Sequence, residues 1–299
     1  MRSGTTLMGA ILNAHPDIDI VSDTLTWFFK RCYKQFGSME SLFEFENMFY
    51  QMEPFMKHHK NCYDYNSLKS QLSTKDHISY SNIYKSLIEL ETKRALNKFY
   101  GVKTTHASFE YEKIIDFDSK TKIIHMVRDI HDVYSSHARF VNKSKINKIK
   151  KIANSGINLF SRKKYSIDER YFRPFHFKEP EKIIDYWCVS NRKAIDLANA
   201  CPKNIKIIKY EDLLTSTEQT LKDVISFIGA EWNDDFYKYS NLKDRGQSKW
   251  SANSSFNDTD VDNYDKSIIG RGKKTLSILE KQKISERCAG LLETFNYKI

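Results

Sequence analysis

Five residues at the start of the chain, Arg2-Ser3-Gly4-Thr5-Thr6, set a cation, a glycine and three hydroxyls directly ahead of an apolar run. That combination suits an anion cradle. Backbone N–H groups at a helix N-terminus point at a negative ligand, and the helix dipole adds to their pull. Gly4 lets the backbone approach an anion closely, and Arg2 offers a planar fork of donors for phosphate or sulfate oxygens. The same pentapeptide also makes an ordinary capped helix start, and its residue types alone do not choose. It is not a Walker A loop, which needs Gly-x-x-x-x-Gly-Lys-Ser/Thr. The nearest match elsewhere, Gly272-Lys273-Lys274-Thr275, has Lys274 in the hydroxyl place and Ser267 in the place of the first glycine.

Such groups need elements to position them. Residues 7–14 (LMGAILNA) read as a buried helix that begins at the loop and is stopped by His15-Pro16-Asp17. Residues 18–21 read as a short strand ending at Ser22-Asp23-Thr24. Aromatic-rich amphipathic stretches over 26–98 predict a helical cover with an acceptor site on its inner side. Further strands are expected over 99–104, 121–127 and 205–210, and helices over 130–141, 180–199, 217–228 and 280–295. Gly229 closes the third of these helices. Residues 233–275 are polar and read as loop-rich. Strands alternating with helices predict an α/β fold, a three-layer α/β/α arrangement around a central parallel sheet, in a single domain over 1–299. Ligands bind such sheets at the C-terminal strand ends. Asp23, Lys103, Arg128 and Tyr210 stand there.

Composition bounds the partners. The chain has 299 residues, 48 Lys plus Arg against 38 Asp plus Glu, and a net charge of +10, which favours anionic partners. Cys32, Cys62, Cys188, Cys201 and Cys288 are scattered and form no C-x-x-C pair. Neither a zinc site nor a disulfide framework is indicated, and a reducing, cytoplasmic setting is expected. No apolar run approaches the roughly 18–20 residues of a membrane span, and no signal peptide is visible. His125, His131 and His137 fall on a strand and a helix and make no metal constellation. The basic stretch 142–164 lacks a recognisable nucleic-acid fold. It reads as a solvated insertion or as the approach path of an anionic acceptor.

The run RSGTTLMGAILNAHPDI resembles the 5′-phosphosulfate loop of the sulfotransferase superfamily, in its bacterial and Golgi-type branches, which include protein-tyrosine and carbohydrate sulfotransferases. Arg128 and Ser136, in VRDIHDVYSS, are similar to the family's Arg and Ser pair that holds a 3′-phosphate, with Ile130 where Pro is usual. Tyr210, in KYEDLL, resembles a tyrosine near the donor nucleotide. SIIGRGKKTLS resembles a C-terminal Gly-Arg-Trp-Arg segment that closes over the donor; Arg271 carries over, whereas Gly272 stands in place of Trp. The resemblance implies that the donor is PAPS (3′-phosphoadenosine 5′-phosphosulfate), bound by Arg2, Ser3, Gly4, Thr5, Thr6, Arg128, Ser136, Tyr210 and Arg271, with no metal. In that family a buried strand leads into the loop. Only Met1 precedes Arg2 here, so that strand is expected to lie upstream of this sequence or to be replaced by another closure of the sheet.

The implied reaction is an in-line displacement. An acceptor hydroxyl on a carbohydrate, a tyrosine or a small metabolite attacks sulfur, and adenosine 3′,5′-bisphosphate leaves. Ser22-Asp23-Thr24 corresponds to a Glu-Glu-Thr triplet of tyrosine sulfotransferases, which makes Asp23 the candidate base. Asp23 is equally an N-cap for a helix beginning near Leu25. Lys103 matches a family lysine that stabilises charge growing on the transferring group. Ser254 and Ser255 resemble a sulfate-contacting serine segment. The resemblance fixes neither the acceptor nor the oligomeric state. The competing readings are a P-loop-type nucleotide-dependent kinase and a non-catalytic nucleotide-binding relative. If Asp23 is the base, Asp23→Asn lowers turnover by about 10²-fold or more while donor affinity is kept. Wild-type turnover of the variant would return Asp23 to capping.

Overall fold

The structure, a computed structural model, describes residues 3–22, 44, 46–47, 50, 65–73, 80–92, 98–104, 111–139, 181–238, 241–242 and 264–298. Helix α1 (Thr5–Asn13) starts at Gly4, whose φ of 84° places it in the left-handed region. Met8 N–H donates to the Gly4 carbonyl at 3.0 Å, so the cap residue closes the first turn itself. Leu7, Met8, Ile11 and Leu12 are buried.

His15 ends the helix. Its Nδ1 accepts from the Asp17 amide at 3.1 Å, which leaves Nε2–H to donate to the Glu231 carbonyl at 2.8 Å. The Ile20 amide donates to Asn13 Oδ1 at 3.0 Å, so helix end and strand start are tied together.

Strand β1 (Ile18–Ser22) pairs in parallel with β2 (Phe99–Lys103), Ser22 opposite Lys103. Between them in the chain lie helices α2 (Tyr65–Ser73) and α3 (Tyr80–Thr92). Helix α4 (Tyr111–Phe117) leads to β3 (Ile123–Val127), which pairs in parallel with β4 (Ile205–Lys209), Val127 opposite Lys209. Helix α5 runs over 130–139 and α6 spans Glu181–Ala200. After β4 come α7 (Tyr210–Thr215), α8 (Thr217–Ile228), a 3₁₀ turn (Lys266–Ile268), α9 (Arg271–Thr275) and α10 (Ile278–Thr294).

The fold is α/β with parallel strand pairing, as expected. The described strands make two separate pairs rather than one ladder, because no described strand hydrogen-bonds to both. The pairs are joined by packing instead. A single apolar cluster holds Leu7, Met8, Ile11 and Leu12 of α1 with Ile18 of β1, Met126 of β3, Ile208 of β4 and Leu221 and Val224 of α8. On β3 the neighbours of Met126 turn the other way. Val127 joins a cluster with Ile183, Ile184 and Trp187 of α6 and Leu291 and Leu292 of α10, and Ile123 packs on Ala194 and Leu197. The period of two in a strand thus sends alternate residues into cores on opposite faces.

Several boundaries differ from the sequence reading, and α4 and α7 are helices that it does not predict. Residues 271–275, read as loop, form α9. Helix α10 begins at Ile278 rather than 280, because Ser277 and Glu280 form a reciprocal capping box. Most of the expected cover over 26–98, and the basic stretch 142–164, lie outside the described residues.

The centre of β3 carries a buried histidine. His125 Nε2–H donates to Asn191 Oδ1 at 2.9 Å, since the Asn191 amide nitrogen already donates to the Trp187 carbonyl at 2.7 Å. Its Nδ1 then accepts from the Tyr111 hydroxyl at 2.8 Å. Burial holds the neutral ring and lowers its pKa from 6.5 to about 4. The unfolded chain therefore takes up the His125 proton first on acidification. Stability is lost as pH falls from about 6.5 towards about 4, with a contribution near 2 kcal/mol at pH 5. Urea unfolding of wild type and His125→Phe at pH 7 and pH 5 measures this. The variant loses that share of the pH dependence; equal pH dependence would remove His125 from the account.

Candidate functional site

The C-terminal strand ends converge with the start of α1. Tyr210, the first residue after β4, is 1% exposed. Its ring lies against Gly4 so closely that a Cβ there would meet Tyr210 Cδ2 at 2.1 Å. Position 4 therefore needs glycine twice, for its left-handed backbone and for this contact. Ser3 is buried beside it, and Thr5 and Thr6 form the first turn of α1.

Arg128, just past β3, meets the same ring. Its Cζ stands 4.5 Å from the Tyr210 centroid, in cation–π range. The side chain is 12% exposed. Its hydrogen bonding is thin: Nη2 donates to Asp132 Oδ2 and to the Ile268 carbonyl, each at 3.4 Å. Nε is buried and makes no hydrogen bond among the described residues. A buried guanidinium donor without an acceptor is costly. An anion oxygen of a bound ligand would satisfy it. Trp187 braces the arginine from behind, its indole N–H donating to the Arg128 carbonyl at 2.9 Å.

Asp132, one turn into α5, was not singled out from the sequence. Only its spacing of four from Arg128 pointed to it. Its carboxylate is almost wholly buried and accepts the Gly272 amide at 2.6 Å and the Gly270 amide at 2.9 Å. Asp129 adds a second tie. Its Oδ1 accepts from the His131 amide at 2.9 Å and lies 2.7 Å from His131 Nδ1, and its Oδ2 pairs with Lys273 Nζ at 3.1 Å. Burial raises the Asp129 pKa, but the His131 donors outweigh it and hold the carboxyl below its ordinary range. Ser135 Oγ makes a third tie, to Thr275 Oγ1 at 2.9 Å. The turn over 270–275 is thus fastened along one face of α5. A Cβ at Gly272 would lie 2.1 Å from the His131 carbonyl oxygen, so backbone fills the place that a side chain would take.

Glu211 links this region to the C-terminus. It accepts the Asp129 amide at 3.0 Å and the Tyr297 hydroxyl at 2.7 Å. Burial raises the pKa of both Glu211 and Tyr297.

Gly4, Arg128 and Tyr210 are therefore brought together, and the 268–272 backbone joins them. Lys103 lies on the other flank of α1. Its aliphatic stem packs against Gly9, where a Cβ would meet Lys103 Cγ at 3.1 Å. Ser136 is partly buried on α5. Arg271 is half exposed and engaged within its own turn, by Ser267 Oγ at 3.1 Å and Asp265 at 3.7 Å. Arg2, Asp23, Ser254 and Ser255 lie outside the described residues. Among the described residues no group of three or more His, Cys, Asp or Glu is placed to hold a metal ion.

A family model described as a sulfotransferase domain matches residues 1–289. The fold is similar to the sulfotransferase domain of the Synechococcus PCC 7002 olefin synthase, with a TM-score of 0.55 and 17% identity over 100% of this chain and 92% of that one. It is also similar to the sulfotransferase domain from the curacin biosynthetic pathway, with a TM-score of 0.51 and 16% identity over 100% and 95% of the two chains. No curated protein matches the sequence.

Two glycines near the C-terminus should respond oppositely to alanine. Gly272→Ala drives a Cβ into backbone and is expected to cost about 2 kcal/mol or more. Gly290 sits inside α10 with nothing within 4 Å of a Cβ. Gly290→Ala should stabilise by about 0.5–1 kcal/mol. Urea titrations of both variants check the pair; a neutral Gly272→Ala would show that α9 is not seated on α5.

Proposed function

The chain belongs to the sulfotransferase domain family, and from that premise we propose that it moves the sulfuryl group of PAPS onto an acceptor hydroxyl by in-line displacement. The observation that carries the reading is the buried Arg128, stacked on Tyr210 beside Gly4, with an Nε donor unused among the described residues. These residues fit an anionic nucleotide. When bound, PAPS supplies an activated sulfuryl group and a bisphosphate leaving group.

The chain's own groups take the remaining roles. Arg2, Ser3, Gly4, Thr5 and Thr6 hold the 5′-phosphosulfate at the N-terminus of α1, where amides and dipole favour negative charge. Arg128 and Ser136 hold the 3′-phosphate, and Tyr210 positions Arg128 by its ring. Arg271 reaches the nucleotide from the fastened turn. Lys103 offsets charge at the reacting centre, and Asp23 takes the acceptor proton or caps the next helix. No metal enters these roles. The acceptor is a carbohydrate, tyrosine or small-metabolite hydroxyl, since fold does not fix it.

The proposal extends to the architecture and the setting. The two strand pairs belong to one central sheet in a three-layer sandwich, which the shared cluster of α1, β1, β3 and β4 supports. The protein works in the cytoplasm; among the described residues no helix is long and apolar enough to cross a membrane.

The direct test is transfer of labelled sulfate from PAPS to a panel of glycans, tyrosine peptides and phenols. Mg²⁺-dependent ATP hydrolysis without affinity for adenosine 3′,5′-bisphosphate would instead favour a kinase. Arg128→Ala should weaken bisphosphate binding by about 10- to 100-fold, the range for a charge-assisted hydrogen bond. Calorimetric titration reads this, and unchanged affinity would refute the role of Arg128.

A further inference from the structure

Away from the strand ends, α6 and α10 lie side by side and bring two buried thiols together. Cys188 Sγ and Cys288 Sγ are 2.9 Å apart, although 100 positions separate them in the chain. Cys188 is 6% exposed and Cys288 1%. We propose that Cys188 and Cys288 form a reversible intramolecular disulfide when the protein meets a hydroperoxide, so that the α6–α10 seam is an oxidation site.

Geometry carries this. A disulfide has an S–S length of about 2.05 Å, so the sulfurs must close by less than about 1 Å. The helices on which they sit are already in register. Lys283 pairs with Glu181 at 2.6 Å and Arg287 with Asp185 at 3.1 Å along the same seam. These ion pairs are solvent-exposed. They mark the outer edge of the seam, where Asp185 lies one turn from Cys188.

The hydrogen bonding assigns the roles. Cys188 Sγ lies 3.6 Å from the Arg287 carbonyl, to which its S–H donates. Cys288 S–H is then the donor to Cys188. That bond favours a thiolate on Cys188 and lowers its pKa, with Arg192 and Arg287 adding to the effect and burial and the Asp185 carboxylate opposing it. The same bond, with burial, raises the pKa of Cys288. Cys188 is the attacking sulfur and Cys288 the resolving one.

The chemistry balances. The Cys188 thiolate attacks one oxygen of hydrogen peroxide. An S–O bond forms, the O–O bond breaks, and hydroxide leaves and takes a proton to become water. Cys288 then attacks Cys188 Sγ, the S–O bond breaks, and a second water leaves with the remaining thiol proton. Two thiols are oxidised to one disulfide and one peroxide is reduced to two waters. A dithiol reductant reverses the result by exchange. The bridge pins α6 against α10 next to Trp187, which braces Arg128.

The test uses the whole chain, reduced, desalted and treated with hydrogen peroxide at neutral pH. Remaining thiols are then alkylated and the protein is digested without reductant. The expected result is a linked peptide pair carrying Cys188 and Cys288. The intact mass falls by two hydrogens, dithiothreitol restores it, and Cys201, a free thiol outside the pair, is recovered alkylated. Cys188→Ser and Cys288→Ser should each abolish the linked pair. Recovery of Cys188 and Cys288 as separate alkylated thiols, as separate sulfinic acids, or joined to other cysteines would overturn the proposal. The wild-type peptide map decides this even if a variant fails to fold.

Discussion

The ring of Tyr210 touches both the residue that opens α1 and the cation that ends β3. A side chain at position 4 would collide with the ring, and Arg128 stacks on it at 4.5 Å. The left-handed turn at Gly4 aims the first amides of α1, and the ring holds Arg128 beside that turn. Tyr210 itself is fixed because it is the first residue of α7, with Leu213 and Leu214 buried behind it in the cluster that also holds α1. A candidate site built on loop ends thus takes its rigidity from the main core.

The second fastening comes from α5. Asp129, Asp132 and Ser135 recur every three residues and so share one face of the helix. Each binds part of the 270–275 turn, through Lys273, the Gly270 and Gly272 amides, and Thr275. Gly272 is what lets the two backbones come that close. The turn is therefore seated against α5 beside Arg128.

Much of this fold was legible as periodicity. Short apolar runs bounded by charge gave β3 and β4, and Gly229 closed α8 with a φ of 87°. The Ser277 and Glu280 capping pair stands in the sequence, and it sets the start of α10 two residues ahead of where hydrophobic periodicity alone puts it. Tertiary contacts were not legible. Gly272 read as a missing aromatic, because a sequence shows which residue stands at a position and not what occupies its neighbourhood. Nothing in the sequence marks Asp132, because its burial and its amide partners depend on a turn far along the chain. For the candidate site, Gly4, Arg128 and Tyr210 were named from the sequence and do meet. Their mutual contacts, and the locally engaged side chain of Arg271, come from packing alone.

The Asp132 contact bears on how Arg128 could still attract an anion. A carboxylate within 3.4 Å of a nearly buried guanidinium would ordinarily neutralise it. Here each carboxylate oxygen already accepts a shorter bond, at 2.6 Å and 2.9 Å from backbone amides. Those donors draw on the same negative charge, and the Arg128 contact is long and single. Asp132 is therefore committed to the turn first and to the arginine second. The guanidinium keeps its position on the Tyr210 ring and Trp187 holds the Arg128 backbone, while Nε has no acceptor among the described residues. Such an arrangement separates the group that orients a cation from the group that would quench it.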